Sequence, residues 1–117
     1  EAAAAAARKL GAQAVTVTMG SAGSYLDCPA GQSYFAPESV SVLDKTGAGD
    51  AFCAGLLSVL LQELRGPVTS TDASADDLRV RLRGLTLAQW KRACARGNHL
   101  GALACTALGA TTAVPRL

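Results

Sequence analysis

The run Leu43-Asp44-Lys45-Thr46-Gly47-Ala48-Gly49-Asp50-Ala51-Phe52-Cys53-Ala54-Gly55-Leu56-Leu57 sets two glycines and an aspartate where an extended segment should become an apolar helix. Backbone N–H groups at a helix start are unpaired, and the helix dipole adds partial positive charge there. Such a start is an anion site, and glycines let a phosphate come close because no Cβ intervenes. An aspartate beside it repels a phosphate unless it has chemistry of its own to perform. Accepting the proton of an attacking hydroxyl is chemistry of that kind, and Asp50 is the candidate. Taken alone, Asp50 is also compatible with an ordinary acid at a helix N-terminus.

Two better-known glycine loops do not fit. A P-loop requires a Gly-Lys pair, which the sequence lacks. A dinucleotide fingerprint requires Gly-x-Gly-x-x-Gly; Gly47 and Gly49 match, but Phe52 stands at the third position and would hinder close helix–strand packing. A Rossmann-type oxidoreductase is therefore disfavoured.

The chain of 117 residues has room for one domain with a modest core. Half of it is apolar and 17% is charged, which reads as globular. Eleven basic against nine acidic side chains give +2, too small an excess to argue for nucleic acid or a membrane surface. No apolar run reaches the ~18 residues of a transmembrane helix. Cys28, Cys53, Cys94 and Cys105 are scattered without a Cys-x-x-Cys pair, and His99 is the only histidine, so neither zinc nor a disulfide framework is expected. Buried reduced thiols suit a cytoplasmic protein. The opening inside an apparent helix, without an initiator methionine, suggests a fragment.

The elements that must position the motif are legible in outline. Glu1 to Leu10 favours helix, with Gly11 at the C-terminal cap position. Ala14 to Met19 is a β-branched run that ends at Gly20-Ser21-Ala22-Gly23. Helix, short loop and strand together suggest a parallel α/β unit. Ser24 to Cys28 and Gln32 to Ala36 flank Pro29-Ala30-Gly31 as a hairpin. Ser39 to Leu43 alternates weakly. A helix from about Asp50 to Leu64, apolar nearly all round, should be buried on most sides. Residues 66–85 read as a loop or insertion, with a short helical turn within Leu78 to Leu85. Thr86-Leu87-Ala88-Gln89 has capping-box form and should open a second long helix at Leu87, ending near Leu108-Gly109. Trp90 reads as core; Asn98 and His99 on their own read as helix-surface residues.

Three ordered segments resemble one family. Asp44-x-Thr46-Gly47-Ala48-Gly49-Asp50-x-x-x-Ala54-Gly55-Leu56-Leu57 is similar to the C-terminal signature of the ribokinase-like (PfkB) carbohydrate kinases. Val15-Thr16-Val17-Thr18-Met19-Gly20-Ser21-Ala22-Gly23 resembles their ATP-side strand and turn. Gly97-Asn98 through Gly101-Ala102, then Thr106 to Ala110, resembles their final nucleotide-site helix and loop. Lys45 departs from the pattern, which commonly has Thr, Pro, Ser or Val there.

The resemblance implies a three-layer α/β/α ribokinase-like fold, of which residues 1–117 form the C-terminal, ATP-binding and catalytic-base part. It implies ATP-dependent phosphoryl transfer to a hydroxyl of a sugar or sugar-like substrate, with Asp50 as general base. Gly47, Ala48 and Gly49 would form the anion hole. Thr18, Gly20, Gly23 and Asn98 would line the nucleotide site. Mg²⁺ would arrive with ATP, and Asp44 with the Thr46 carbonyl would belong to a monovalent-cation loop such as K⁺ occupies. The implied partners are ATP and a small carbohydrate, and a homo-oligomer is compatible with the sequence. The alternative is a catalytically incomplete nucleotide-binding fragment.

Overall fold

The computed structural model describes residues 1–65, 75–110, 112 and 115. Helix α1 spans Ala2–Lys9, an alanine run with Arg8 and Lys9 in the last turn, where positive charge complements the dipole. The chain turns at Gly11 and enters β1, Val15–Thr18. One 3₁₀ turn, Gly20–Ala22, leads to β2, Ser24–Cys28, and a tight turn at Pro29-Ala30 leads to β3, Gly31–Phe35. The hairpin is as the sequence suggested, with Cys28 opposite Gly31 and Ser24 opposite Phe35.

The three strands form a meander in the order β1-β2-β3, antiparallel throughout. Among the described residues β1 pairs with β2 alone, so the parallel unit expected of α1 and β1 has no partner strand there to be judged by. The link from Thr18 to Ser24 is too short for the crossover a parallel pair requires, so β1 folds straight back onto β2. Gly23 closes that turn at φ +91°, and a Cβ there would lie 2.1 Å from the Phe35 carbonyl oxygen. Only glycine fits.

Alternation along β2 separates two layers. Leu26 and Cys28 join a core with Leu60, Leu85, Trp90, Ala93 and Cys94. Asp27 instead pairs with Arg8 of α1, Oδ1 to Nε at 3.5 Å. Helix α1 therefore lies across the sheet from the long helices, giving helix, sheet and helix layers. Those long helices are α2, Ala48–Arg65, and α4, Leu87–Ala104; the shorter α3, Ala75–Arg83, comes between them.

Helix α3 occupies much of the stretch read as loop and is longer than the short turn expected; residues 66–74 lie outside the described residues. The expected capping box is present. Thr86 accepts from the Gln89 N–H at 3.2 Å, and the Gln89 side chain accepts from the Thr86 N–H at 2.8 Å. Helix α4 stops at Ala104, earlier than expected, and Ser39 to Leu43 forms no strand.

Helix α2 is buried along one stripe rather than on most sides. Ala51, Phe52, Gly55 and Leu60 are buried, whereas Leu57 and Leu61 are each 53% exposed. The buried stripe faces α4, which α2 meets at backbone distance. A Cβ on Gly55 would sit 2.7 Å from the Arg96 carbonyl oxygen, and one on Gly97 2.9 Å from that of Phe52. Cys28 and Cys94 are buried free thiols as expected, but Cys53 is exposed and Cys105 is half-buried. Burial, with Cys28 close by, pushes the Cys94 thiol up to about 12.

Candidate active site

A cavity of about 550 Å³ opens where the end of β1, the start of α2 and the C-terminal half of α4 converge. Thr18, Gly20, Ser21 and Gly23 form one wall. Pro37 to Val40 and Val42, from the segment after β3, form a second. Lys45, Ala48, Gly49 and Phe52 line it from the α2 side; Asn98, Gly101, Ala102 and Cys105 line it from α4. Three regions far apart in sequence, around Thr18 to Gly23, Pro37 to Phe52 and Asn98 to Cys105, thus meet at one concavity, including two of those singled out for phosphate chemistry.

Helix α2 begins at Ala48, two residues earlier than the hydrophobic pattern alone suggests. Ala48 donates its N–H to the Lys45 carbonyl at 3.2 Å, and Ala51 donates to Gly47 at 2.9 Å. The N–H groups of Gly49 and Asp50 have no backbone acceptor among the described residues. They are the orphan donors of a helix start, and Ala48 and Gly49 present this start to the cavity. Gly47 has φ +79° and packs on the last loop; a Cβ there would lie 2.9 Å from Ala110 Cβ. It sits behind the cavity lining rather than in it. Asp50 is exposed in the first turn of α2, next to Gly49.

Asp44 ties two loops together. Its Oδ1 accepts from the Thr46 hydroxyl at 2.6 Å and from the Thr46 N–H at 2.9 Å, while Oδ2 accepts from the Gly109 N–H at 3.0 Å. The Thr46 hydroxyl, the Thr46 N–H and the Gly109 N–H, in that order, hold its carboxyl down at about 2. Leu43 and Asp44 add backbone bonds to the Cys105 carbonyl at 2.8 and 3.3 Å. The segment entering α2 is thereby fixed to the loop leaving α4. Among the described residues no cluster of three or more His, Cys, Asp or Glu could hold a metal.

Asn98 is more than a surface residue. Its Oδ1 accepts from the buried Ser24 hydroxyl at 2.9 Å, and its Nδ2 donates to the Ala36 carbonyl at 3.4 Å. One residue on, His99 Nδ1 lies 3.1 Å from Glu38 Oε2. Consecutive residues of α4 therefore pin the cavity wall after β3. Sequence reasoning missed that wall, because Ala36 to Val42 has no strong periodicity, and the pairing of Glu38 with His99 is set only by tertiary contact. The Phe52 position is also explained: its ring fills the space a side chain at Gly97 would take, with Cδ2 and Cε2 3.0 Å from where that Cβ would be.

A glycine-led helix start that opens on a cleft, in a layered α/β arrangement, is suited to an anion such as a phosphate. Residues 1–117 match the pfkB family carbohydrate kinases, and the chain belongs to that family. It is 44% identical over 100 residues to a fructokinase of Escherichia coli, covering 85% of this chain and 26% of that protein. It is 33% identical over 108 residues to an aminoimidazole riboside kinase of Salmonella typhimurium, covering 92% of this chain and 28% of that one. Among solved structures it superposes on a fructokinase double mutant from Vibrio cholerae O395, in fructose, ADP and potassium ion bound form, with TM-score 0.69 and 32% identity. That match covers 95% of this chain and 30% of the other. The chain spans between a quarter and a third of the length of these relatives.

Proposed function

We propose that the protein bearing this chain is an ATP-dependent carbohydrate kinase, and that these residues supply its nucleotide site and catalytic base. The observation that carries the reading is the start of α2, where Ala48 and Gly49 face the cavity and Asp50 stands in the same turn. Asp50 would take the proton of a sugar hydroxyl as its oxygen attacks the γ-phosphorus and the bond to the bridging oxygen of ADP breaks. Of the anion hole expected at Gly47, Ala48 and Gly49, the Gly49 amide, without a backbone acceptor among the described residues and facing the cavity, would lead in stabilising the charge on the transferring group. The Ala48 N–H would first have to leave the Lys45 carbonyl, and Gly47 supports the turn from behind.

Thr18, Gly20 and Gly23 would contact the phosphates and ribose, with Asn98 beside the base. Mg²⁺ carried in by ATP would neutralise phosphate charge, the usual mode for an ion that keeps most of its water. For a monovalent cation such as K⁺ we assign the turn of Asp44 and Thr46 facing the loop after α4; backbone oxygens are the ligands hard cations take. The acceptor is a hydroxyl of a sugar or sugar-like molecule, and a cytoplasmic setting suits the free thiols. No described helix is long and apolar enough to cross a membrane.

The test is transfer of labelled γ-phosphate from ATP to a panel of sugars by the full-length protein, with ATP binding measured alongside. Transfer to at least one sugar is expected. ATP binding without transfer to any of them would favour the nucleotide-binding reading over the kinase.

A further inference from the structure

We propose that Lys45 is a phosphate-contacting residue of the nucleotide site, a cationic clamp added to the amides at the start of α2. The inference rests on the ATP reading above and extends it to a residue outside the family pattern.

Among the described residues, Lys45 and Glu38 are the only charged ones that line the cavity. Glu38 is paired with His99 across the wall. Lys45 has no ion-pair partner among the described residues, and the acid beside it, Asp44, is engaged by Thr46 and Gly109. Its carbonyl accepts the Ala48 N–H, which anchors its backbone one turn before the helix start while the side chain remains exposed. A cationic residue without an ion-pair partner among the described residues therefore lines the same cavity as Ala48 and Gly49. Both the ammonium and the orphan amides favour an anion there, and lysine binds phosphate as a mobile point charge on a long stem. A solvated lysine with no role would be indifferent to what occupies the cavity. A clamp discriminates by phosphate count, favouring ATP and ADP over the uncharged nucleoside.

Calorimetric titration of the full-length protein with ATP, ADP and adenosine separates these cases. Lys45→Met should weaken ATP and ADP by about tenfold or more, leave adenosine unchanged, and flatten the salt dependence of ATP binding. Lys45→Arg should restore most of the affinity. The proposal is overturned if Lys45→Met binds ATP as the unmodified protein does, or if adenosine weakens in step with ATP. Unmodified protein that binds none of the three overturns the nucleotide reading itself, which is a distinct result.

Discussion

Ser24, on the central strand, donates its hydroxyl hydrogen to Asn98 Oδ1 on α4 at 2.9 Å, a bond that joins residues 74 positions apart. Ser24 is 1% exposed, so water cannot readily reach its hydroxyl, while Asn98 is half-buried at the cavity. The same amide holds Ala36 and so connects sheet, cavity wall and helix. Ser24→Ala should destabilise the full-length protein by about 0.5–1.5 kcal/mol, because it removes a part-buried hydrogen bond between sheet and helix. Denaturant unfolding checks this, and ATP affinity should fall with it as the Ala36 wall loosens. A midpoint equal to that of the unmodified protein would refute the tie.

Asp50→Asn keeps the size of the side chain and removes its basicity. If the full-length protein is the proposed kinase, its kcat should fall by about 10²–10⁴, with ATP affinity nearly preserved. Steady-state kinetics with the best sugar acceptor decides it; unchanged turnover would remove Asp50 from the proposed role.

Much of this arrangement was open to sequence reasoning, and the reasons for the rest are specific. The Thr86–Gln89 box and the Ser24–Phe35 hairpin are local, set by residues within a few positions of each other. The start of α2 came two residues early because glycine and alanine carry little hydrophobic signal, although Ala48 closes a turn onto Lys45. The antiparallel pairing of β1 depends on the length of a glycine turn, and a β-branched run looks alike in either direction. The wall at Pro37 to Val42 is held from outside, by Asn98 and His99, so its own residues give no sign of it. The exposure of Leu57 and Leu61 was likewise hidden, since composition cannot say which stripe of an all-apolar helix finds a partner.

Gly55→Ala and Gly97→Ala each place a Cβ within 3.0 Å of backbone on the facing helix. Backbone cannot swing aside as a side-chain tip can, so α2 and α4 must separate. Each substitution should cost about 1–3 kcal/mol as an overpacking change. Gly49→Ala meets nothing within 4 Å and serves as the control, with little loss of stability expected. Thermal unfolding of the three variants in the full-length protein tests the order.

Asp44 supplies the pH dependence. Its folded carboxyl is held at about 2, below the unfolded value near ~3.9. A depressed acid stabilises the fold above its unfolded pKa, and that contribution is lost as pH falls from about 4 towards 2. Asp44→Asn should therefore lower stability at neutral pH and flatten the acid limb between about pH 4 and 2. A variant whose stability parallels the unmodified protein across that range would show the Thr46 and Gly109 bonds to be without consequence.

Gly55 and Gly97 let two main chains touch, and Asp44 fastens the far ends of the same helices. Between these points α2 and α4 are yoked at main-chain contact, with the Phe52 ring wedged beside Gly97. Under the proposed reading, the residue beside the base and the acid of the first turn thus sit on two joined helices, so a shift of Asn98 is passed to the start of α2.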